Sequence, residues 1–525
     1  MVGISARMVD SLMCEWRTDA PAYLSLADRL RLLVLDGRIP VGARFPSERE
    51  LALRLGVSRT TIAATYTRLR ETGYIESRRG SGSVARLPGT AVDDIGAGDS
   101  GLLDFSKAAM PAIPQLADAA VRAAARLPAY FAETGFDPVG LPHLRRAIAE
   151  RYEKRGLPTS ADQIMVTVGA QSAIALIARV VLERGDVALA EAPSYPHAYE
   201  ALRLAGARIA TVNVSSEHGW DALALEQVLR RSSPALAYLM PDFHNPTGST
   251  MGAELRTRVL EIAREQGTVV VVDETMAELD IDTLGERTLP MPAYGAAVAI
   301  GSLGKTVWGG LRIGWIRADA ALVQRLVRAR LTTDLGTPIL EQLIAAELIA
   351  DLDAILEGRR TQLRAGRDHL ERALADALPE WTVPHVTGGL TTWVGLPHPS
   401  SSLLTLAARR EGLLLASGPR FGIDGAFERF VRIPFSYTTT ETDAAVAASP
   451  AHGGRSAPCS RPHRSRSRRW SDGRSSEPQE HKPRRPEKCA RRFALDSSSP
   501  ADAALPSQYL MRQSRGAPVG ATRRA

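Results

Sequence analysis

In "SLGKTVWGGLRIGW" (residues 302–315), Lys305 follows Ser302 by three residues and precedes Arg312 by seven, in a glycine-rich stretch among apolar residues. A lysine that attacks a carbonyl carbon must be partly neutral near pH 7, whereas its unperturbed pKa is about 10.4. Burial and nearby positive charge both lower that value, and this stretch offers apolar neighbours and one cation, Arg312. Other stretches carry groups that suit one small molecule. "MVTVGAQSAIALIARV" reads as strand, turn and helix start, so the N–H groups of Gly169, Ala170 and Gln171 can receive a phosphate. Ser302 and Arg312 can complete that phosphate cup, the arginine as a bidentate donor. "TVVVVDE" ends a β-branched run on Asp273, a carboxylate suited to keeping a pyridine nitrogen protonated. "PDFHNPTGS" supplies Asn245, whose amide can bond a ring oxygen, and "EAPSYPH" supplies Tyr195, which can stack on the ring face. Phosphate, pyridine nitrogen, ring oxygen and aldehyde together describe pyridoxal 5′-phosphate. Taken singly, the asparagine stretch is also a turn, Asp273 a helix cap and Tyr195 a core tyrosine. Together they occur in one order, each after a strand, where open α/β sheets bind ligands.

The elements that must position these groups are legible in outline. From 106 to 448, segments of helical period alternate with the strand-like runs "QIMVTV", "DVALAE", "ALAYLM", "GTVVVVD" and "AAVAIGS". That alternation predicts an α/β domain with a mostly parallel, buried sheet. Residues 337–377 read as one long amphipathic helix leading to a smaller C-terminal α+β subdomain. With its GAQ, PSYP, HNPTG and SxxK stretches in this order, residues 106–448 resemble the fold-type I aminotransferases of the aspartate aminotransferase superfamily. The resemblance implies that Lys305 is the Schiff-base lysine, Asp273 the partner of the pyridine nitrogen, Asn245 the contact of the 3′-oxygen and Tyr195 the stacking ring. It assigns Gly169, Ala170, Gln171, Ser302 and Arg312 to the phosphate, and Arg432 of "FVRIPFS" to a substrate α-carboxylate. Two positions depart from that family. Thr275, with Met276 beside it, stands among the cofactor contacts where a tyrosine is usual, and Phe136 stands where a tyrosine commonly reaches the partner's phosphate.

Ahead of this domain lies a different constellation. Tyr23, Leu26, Leu30, Leu33 and Val34 can share one helix face, and Ser47 with Glu50 makes a capping box for a short helix ending near Leu55. The turn "GVS", a helix from Arg59 to Thr72 and two strands in "GYIESRRGSGSVAR" complete a winged helix-turn-helix over residues 20–86, behind an N-terminal arm at 1–19. Ser58, Arg59, Thr60 and Thr61 open the recognition helix, where free N–H groups favour phosphate and arginine reaches guanine edges. Arg49, and Arg78, Arg79 and Gly80 at the wing tip, suit phosphate or minor-groove contact. The ordered set resembles the GntR family of bacterial regulators, which implies DNA contact through Arg49, Arg59, Thr60, Thr61, Arg79 and Gly80.

Composition sets the remaining bounds. A chain of 525 residues exceeds one compact core, so several domains are expected. No apolar run approaches membrane-spanning length and no secretory block opens the chain, so a cytoplasmic protein without membrane contact is expected. Cys14, Cys459 and Cys489 have no metal or disulfide spacing. Residues 87–105 read as a linker. Residues 451–525 hold 17 Lys+Arg against 6 Asp+Glu, whereas 23–86 hold 12 Arg against 6 acidic residues in a folded pattern. The Arg/Ser/Pro-rich segment 449–525 reads as a disordered basic tail, either a nonspecific DNA-binding extension or the product of a shifted reading frame.

A GntR-type reader joined to an aminotransferase-like domain is similar to the MocR subfamily of bacterial transcription regulators. That resemblance implies a homodimer with reader domains swapped across the partner, bound to operator DNA and sensing pyridoxal phosphate or an amine or amino acid that reacts with it. A working aminotransferase whose reader is autoregulatory is the competing expectation, and a cofactor-free scaffold is a third.

Overall fold

The computed structural model describes residues 4–449, apart from 14–15, 18–19, 36–37, 40–42, 79–81, 87–101, 283–287 and 424. The basic tail and most of the linker therefore lie outside the described residues.

In the N-terminal part, the helix Ala22–Leu35 buries Leu26, Leu30, Leu33 and Val34 on one face, as their spacing predicts. Tyr23 is the exception, on the solvent-facing edge of that stripe at 37% exposure. Ser47 caps the helix Glu48–Leu55 through the full capping box with Glu50, and Gly56 ends it in the left-handed conformation. Ser58 caps the helix Arg59–Glu71, and Ile75–Arg78 pairs antiparallel with Gly82–Ala85 to form the wing. The segment expected to be an arm contains the helix Ala6–Met13, which places Val9 and Met13 in the reader's core. Eight residues are too few for their periodicity to be conspicuous.

The large domain is built on an eight-stranded sheet. Its spatial order is Ile164–Thr167, Gly314–Arg317, Val298–Ser302, Val269–Asp273, Leu236–Leu239, Val187–Ala192, Arg208–Ser215, Gly219–Trp220. Val298–Ser302 through Arg208–Ser215 pair in parallel, and Gly314–Arg317 runs antiparallel to both neighbours. The central strands are buried on both faces, which is why they read as unbroken apolar runs.

The long helix expected over 337–377 is two helices, Ile339–Ala350 and Leu352–Ala377, separated at the non-helical Asp351. The first buries Leu343, Leu348 and even Gln342 in the large-domain core, while the second is amphipathic and runs on to the small subdomain. The small subdomain is an antiparallel sheet of Thr391–Gly395, Phe430–Pro434 and Ala416–Ser417, with the helices Ser401–Arg410 and Thr439–Ala448. Leu103–Asp104 pairs in parallel with Leu413–Leu414, and Phe105 is fully buried, so the chain joins this part at residue 103.

Candidate functional site

Asp273, the last residue of its strand, is buried, and both of its carboxylate oxygens are engaged. Oδ1 accepts from the Thr275 N–H at 2.9 Å and Oδ2 from the Tyr238 hydroxyl at 2.6 Å. One strand over, Ser302 ends Val298–Ser302; its hydroxyl donates to the Ile313 carbonyl at 3.0 Å and accepts from the Gly304 N–H at 3.0 Å, which fixes the turn into Lys305.

The Lys305 ammonium donates to the Ala108 carbonyl. Its pKa is pulled down to about 8, first by burial and then by the Arg432 charge, with Asp273 opposing. The cation that acts on it is thus Arg432, not the neighbouring Arg312 that the sequence suggested. Arg312 turns away to donate to the carbonyls of Val168 at 3.0 Å and Gly309 at 3.3 Å, from a left-handed backbone (φ 55°).

That orientation lays the Arg312 guanidinium against the start of the helix Gly169–Val181. Gly169 has φ +77°, and a Cβ there would lie 2.5 Å from Arg312 Nη2, so only glycine leaves this cradle open. Gln171 donates to the His197 carbonyl at 3.2 Å, and its Oε1 is buried without a partner. Asn245 is buried, and its Oδ1 also lacks a partner. Tyr195 precedes the helix Pro196–Leu204; burial, then the Asp273 charge, push its hydroxyl up to about 12. Arg432, from Phe430–Pro434, donates to the Ser106 carbonyl and lies over the Phe421 ring at 4.9 Å, with Nε buried and unpartnered. Burial, then the nearby Arg420 charge, lower its pKa to about 10.

The structure therefore brings Asp273 and Arg432 each within electrostatic reach of Lys305, and Gly169 beside Arg312. The open cradle at Gly169 and the buried, unpartnered Nε of Arg432 are donor sites suited to a phosphate and to a carboxylate, whereas the unpartnered Oδ1 of Asn245 and Oε1 of Gln171 can only accept, from an N–H or an O–H such as that of a protonated ring oxygen. This set fits pyridoxal phosphate. Of the two family departures, Thr275 is half-buried beside Asp273, and Phe136 is 67% exposed.

Sequence reasoning missed two supports. Tyr238 reads as one more apolar residue of "ALAYLM"; its signal is a polar tip in a fully buried strand, which needs a partner. Glu191, fully buried, accepts from Trp220 Nε1 at 2.8 Å and from the Met240 N–H at 3.0 Å, and lies 3.3 Å from Nε2 of His244, the residue before Asn245 in the chain. A separate cavity of about 570 Å³, lined by Lys154, Arg155, Asp242, Phe243, Leu289 and Arg360 among others, does not include Lys305.

In the reader, the Ser58 hydroxyl accepts from the Thr61 N–H at 3.0 Å and lies 2.7 Å from the hydroxyls of both Thr60 and Thr61. Ile62, Tyr66 and Leu69 pin the opposite helix face, with the Tyr66 hydroxyl on the Pro46 carbonyl at 2.8 Å. Arg49, Ser58, Arg59 and Thr60 are exposed and Thr61 is half-buried; among the described residues Arg59 pairs with Glu48 at 3.5 Å. Arg79 and Gly80 lie outside the described residues. Among the described residues no His/Cys/Asp/Glu cluster suits a metal, and no helix is long and apolar enough to cross a membrane.

An eight-stranded mixed sheet with a lysine, an aspartate and a helix N-terminus at strand ends defines an aminotransferase-type α/β domain, here behind a winged helix-turn-helix. Comparison with known proteins agrees. Residues 104–448 match the family described as aminotransferase class I and II, and residues 22–84 match the bacterial regulatory proteins of the gntR family. The 2-aminoadipate transaminase of Thermus thermophilus is 34% identical over 316 residues, 58% of this chain and 76% of that protein. The probable rhizopine catabolism regulatory protein MocR of Rhizobium meliloti is 30% identical over 374 residues, 65% of this chain and 74% of that protein. The crystal structure of LysN, the α-aminoadipate aminotransferase of Thermus thermophilus complexed with N-(5′-phosphopyridoxyl)-L-leucine, superposes with a TM-score of 0.60 at 32% identity, covering 66% of this chain and 91% of that one. The chain belongs to the class I and II aminotransferase family and, with its GntR reader, to the MocR-type regulators within it.

Proposed function

We propose that this protein is a pyridoxal-phosphate-dependent transcription regulator that binds operator DNA as a homodimer and responds to an amine or amino acid. The observation that carries the reading is Lys305, lowered to about 8 beside Arg432 and Asp273, in the same chain as an exposed, serine-capped reader helix. In this reading Gly169, Ala170, Gln171, Ser302 and Arg312 hold the cofactor phosphate. Asn245 and Thr275 would hold the ring edge, Tyr195 its face and Asp273 its nitrogen. Bound pyridoxal phosphate supplies an electrophilic aldehyde carbon and an electron-withdrawing ring.

The chain's own residues do the rest. Lys305, as a neutral amine, would be the nucleophile towards such an aldehyde, and the Ala108 carbonyl holds its nitrogen in place. Arg432 receives the carboxylate of an incoming amino acid, which restores to its buried guanidinium the counter-charge that it lacks. Because Arg432 belongs to the small subdomain, ligand capture biases the position of that subdomain. Arg49, Ser58, Arg59, Thr60 and Thr61, with Arg79 and Gly80 of the wing, are the proposed DNA contacts. Phe131, Phe136 and Leu331, exposed at 72%, 67% and 53%, are apolar surface that suits a partner subunit.

The second reading, an active aminotransferase, is favoured by the completeness of the set Lys305, Asp273 and Arg432. Turnover of amino donors and 2-oxo acids at roughly 1–1000 per second would support it. For the regulator reading, operator binding is followed by fluorescence anisotropy while amines and amino acids are titrated. A ligand-dependent change in wild type that vanishes in Lys305→Ala supports it; DNA binding indifferent to every amine and to pyridoxal phosphate refutes it.

A further inference from the structure

The hydroxyl of Tyr238 donates to Asp273 Oδ2 at 2.6 Å, across adjacent parallel strands, with both side chains buried. Its placement follows from register: Tyr238 pairs with Val271, two residues before the strand-ending Asp273, so the phenol lies alongside the last turn of that strand and its tip meets the carboxylate. Burial and the Asp273 charge push the phenol well above its ordinary range, so it stays a donor around neutral pH. The other oxygen, Oδ1, accepts from the Thr275 N–H at 2.9 Å. Each carboxylate oxygen is thus held by one donor, and the carboxylate plane is fixed from two sides. A carboxylate offers about four lone-pair sites, so capacity remains for one more N–H.

We infer that Tyr238 is a positioning residue that fixes Asp273 as an acceptor aimed at the cofactor's ring nitrogen, and so sets how firmly the ring is held and protonated. The inference rests on the cofactor reading above. Three features favour this over a merely structural pair. The phenol is committed to a carboxylate in a strand otherwise filled with apolar side chains. Among the described residues Asp273 has no arginine or lysine as a hydrogen-bonding partner; Tyr238 and the Thr275 N–H are neutral donors that leave its charge available to a cationic ring nitrogen. Thr275, where a second tyrosine is usual in the family, contributes its backbone N–H to Asp273, so the ring's orientation depends more heavily on the aspartate and its tyrosine.

The experiment compares wild type, Tyr238→Phe, Asp273→Asn and the double variant as full-length protein, stripped of cofactor and titrated with pyridoxal phosphate. Three readouts are taken: the dissociation constant, the ¹⁵N chemical shift of ring-labelled cofactor, and thermal unfolding of the cofactor-free protein. Tyr238→Phe removes one oxygen and keeps the ring volume, so the fold is expected to survive. The expected result is 5- to 50-fold weaker cofactor binding in Tyr238→Phe, with the ¹⁵N shift moved towards the unprotonated ring. No further effect of Tyr238→Phe is expected in the Asp273→Asn background. Binding within twofold of wild type together with an unchanged ¹⁵N shift overturns the inference, as does an equal loss in both backgrounds. Failure of wild type itself to take up the cofactor overturns the underlying reading instead.

Discussion

Arg38 of the reader domain donates to Glu428 of the small subdomain at 2.9 Å, and the same carboxylate caps the helix Ser401–Arg410 through the Ser402 N–H at 2.9 Å and hydroxyl at 2.8 Å. Arg29, also from the reader and fully buried, lies 3.5 Å from the same oxygen, and Arg410 reaches back to Asp28 at 3.3 Å. Gly425 makes room for this contact: its φ is +76°, and a Cβ there would lie 2.5 Å from Arg38 Nη2. Glu428 stands four residues before Arg432 on the chain that leads into the same strand. Arg432, the proposed carboxylate receptor, and the seat of the reader are thus on one short segment.

Arg38→Met is therefore expected to release the reader while leaving the Ser402 cap intact. Because Arg29 still faces Glu428, the local cost should stay below the about 3–5 kcal/mol of a buried charge left uncompensated. Hydrogen exchange in Ala22–Leu35 should accelerate, with the large-sheet strands unchanged. In Glu428→Gln the exchange should spread to Ser401–Arg410, because that cap is weakened as well. Unchanged exchange in both variants would show that this contact does not seat the reader.

Cofactor capture should depend on pH through the lysine. With Lys305 near 8, roughly a tenth of the amine is neutral at pH 7 and roughly nine-tenths at pH 9. The rate of adduct formation with pyridoxal phosphate should rise across pH 7–9 and level off above. The sign for stability follows from the same shift. Between about 8 and the unfolded value of 10.5 the unfolded chain holds a proton that the folded one has released, so the contribution of Lys305 to stability grows with pH over that window. Stopped-flow absorbance and thermal unfolding of Lys305→Met against wild type read the two effects.

Arg432→Gln removes the buried guanidinium but keeps a polar side chain. An amino-acid effector should lose about 1.5–3 kcal/mol of binding, the range of a charge-assisted hydrogen bond, whereas a simple amine without a carboxylate should be nearly unaffected. Arg432→Gln should also raise the pKa of Lys305, since the second-largest cause of its depression is gone. Isothermal titration with matched amine and amino-acid pairs separates these outcomes.

Ser58→Ala should destabilise the reader by about 1 kcal/mol through loss of the helix cap. Arg59→Ala, at an exposed side chain with a single weak partner, should leave stability unchanged and weaken operator binding by about 1–3 kcal/mol while relaxing sequence preference. Binding to operator and scrambled DNA across a salt series distinguishes a base reader from a phosphate contact, since only the latter lowers the salt slope alone.

Much of this was legible because strand ends carry the chemistry. Lys305, Asp273 and Asn245 come at or just after apolar runs that betray the sheet, and Ser47 and Ser58 announce their helices through capping. What stayed hidden depends on contacts between distant segments. Arg312 is near Lys305 in sequence, yet the cation that depresses the lysine comes from another subdomain. Tyr238 looks like core because strand patterning records burial and not the partner of a phenol. Glu428 looks like any surface acid, and the break at Asp351 falls within a stretch whose helical period continues on both sides.

The most direct test of the central claim is borohydride reduction of the full-length protein after incubation with pyridoxal phosphate, followed by peptide mass spectrometry. The account predicts one pyridoxyl adduct per chain, on Lys305, and none in Lys305→Ala. A reduced protein without that adduct, or one modified equally on other lysines, would contradict it.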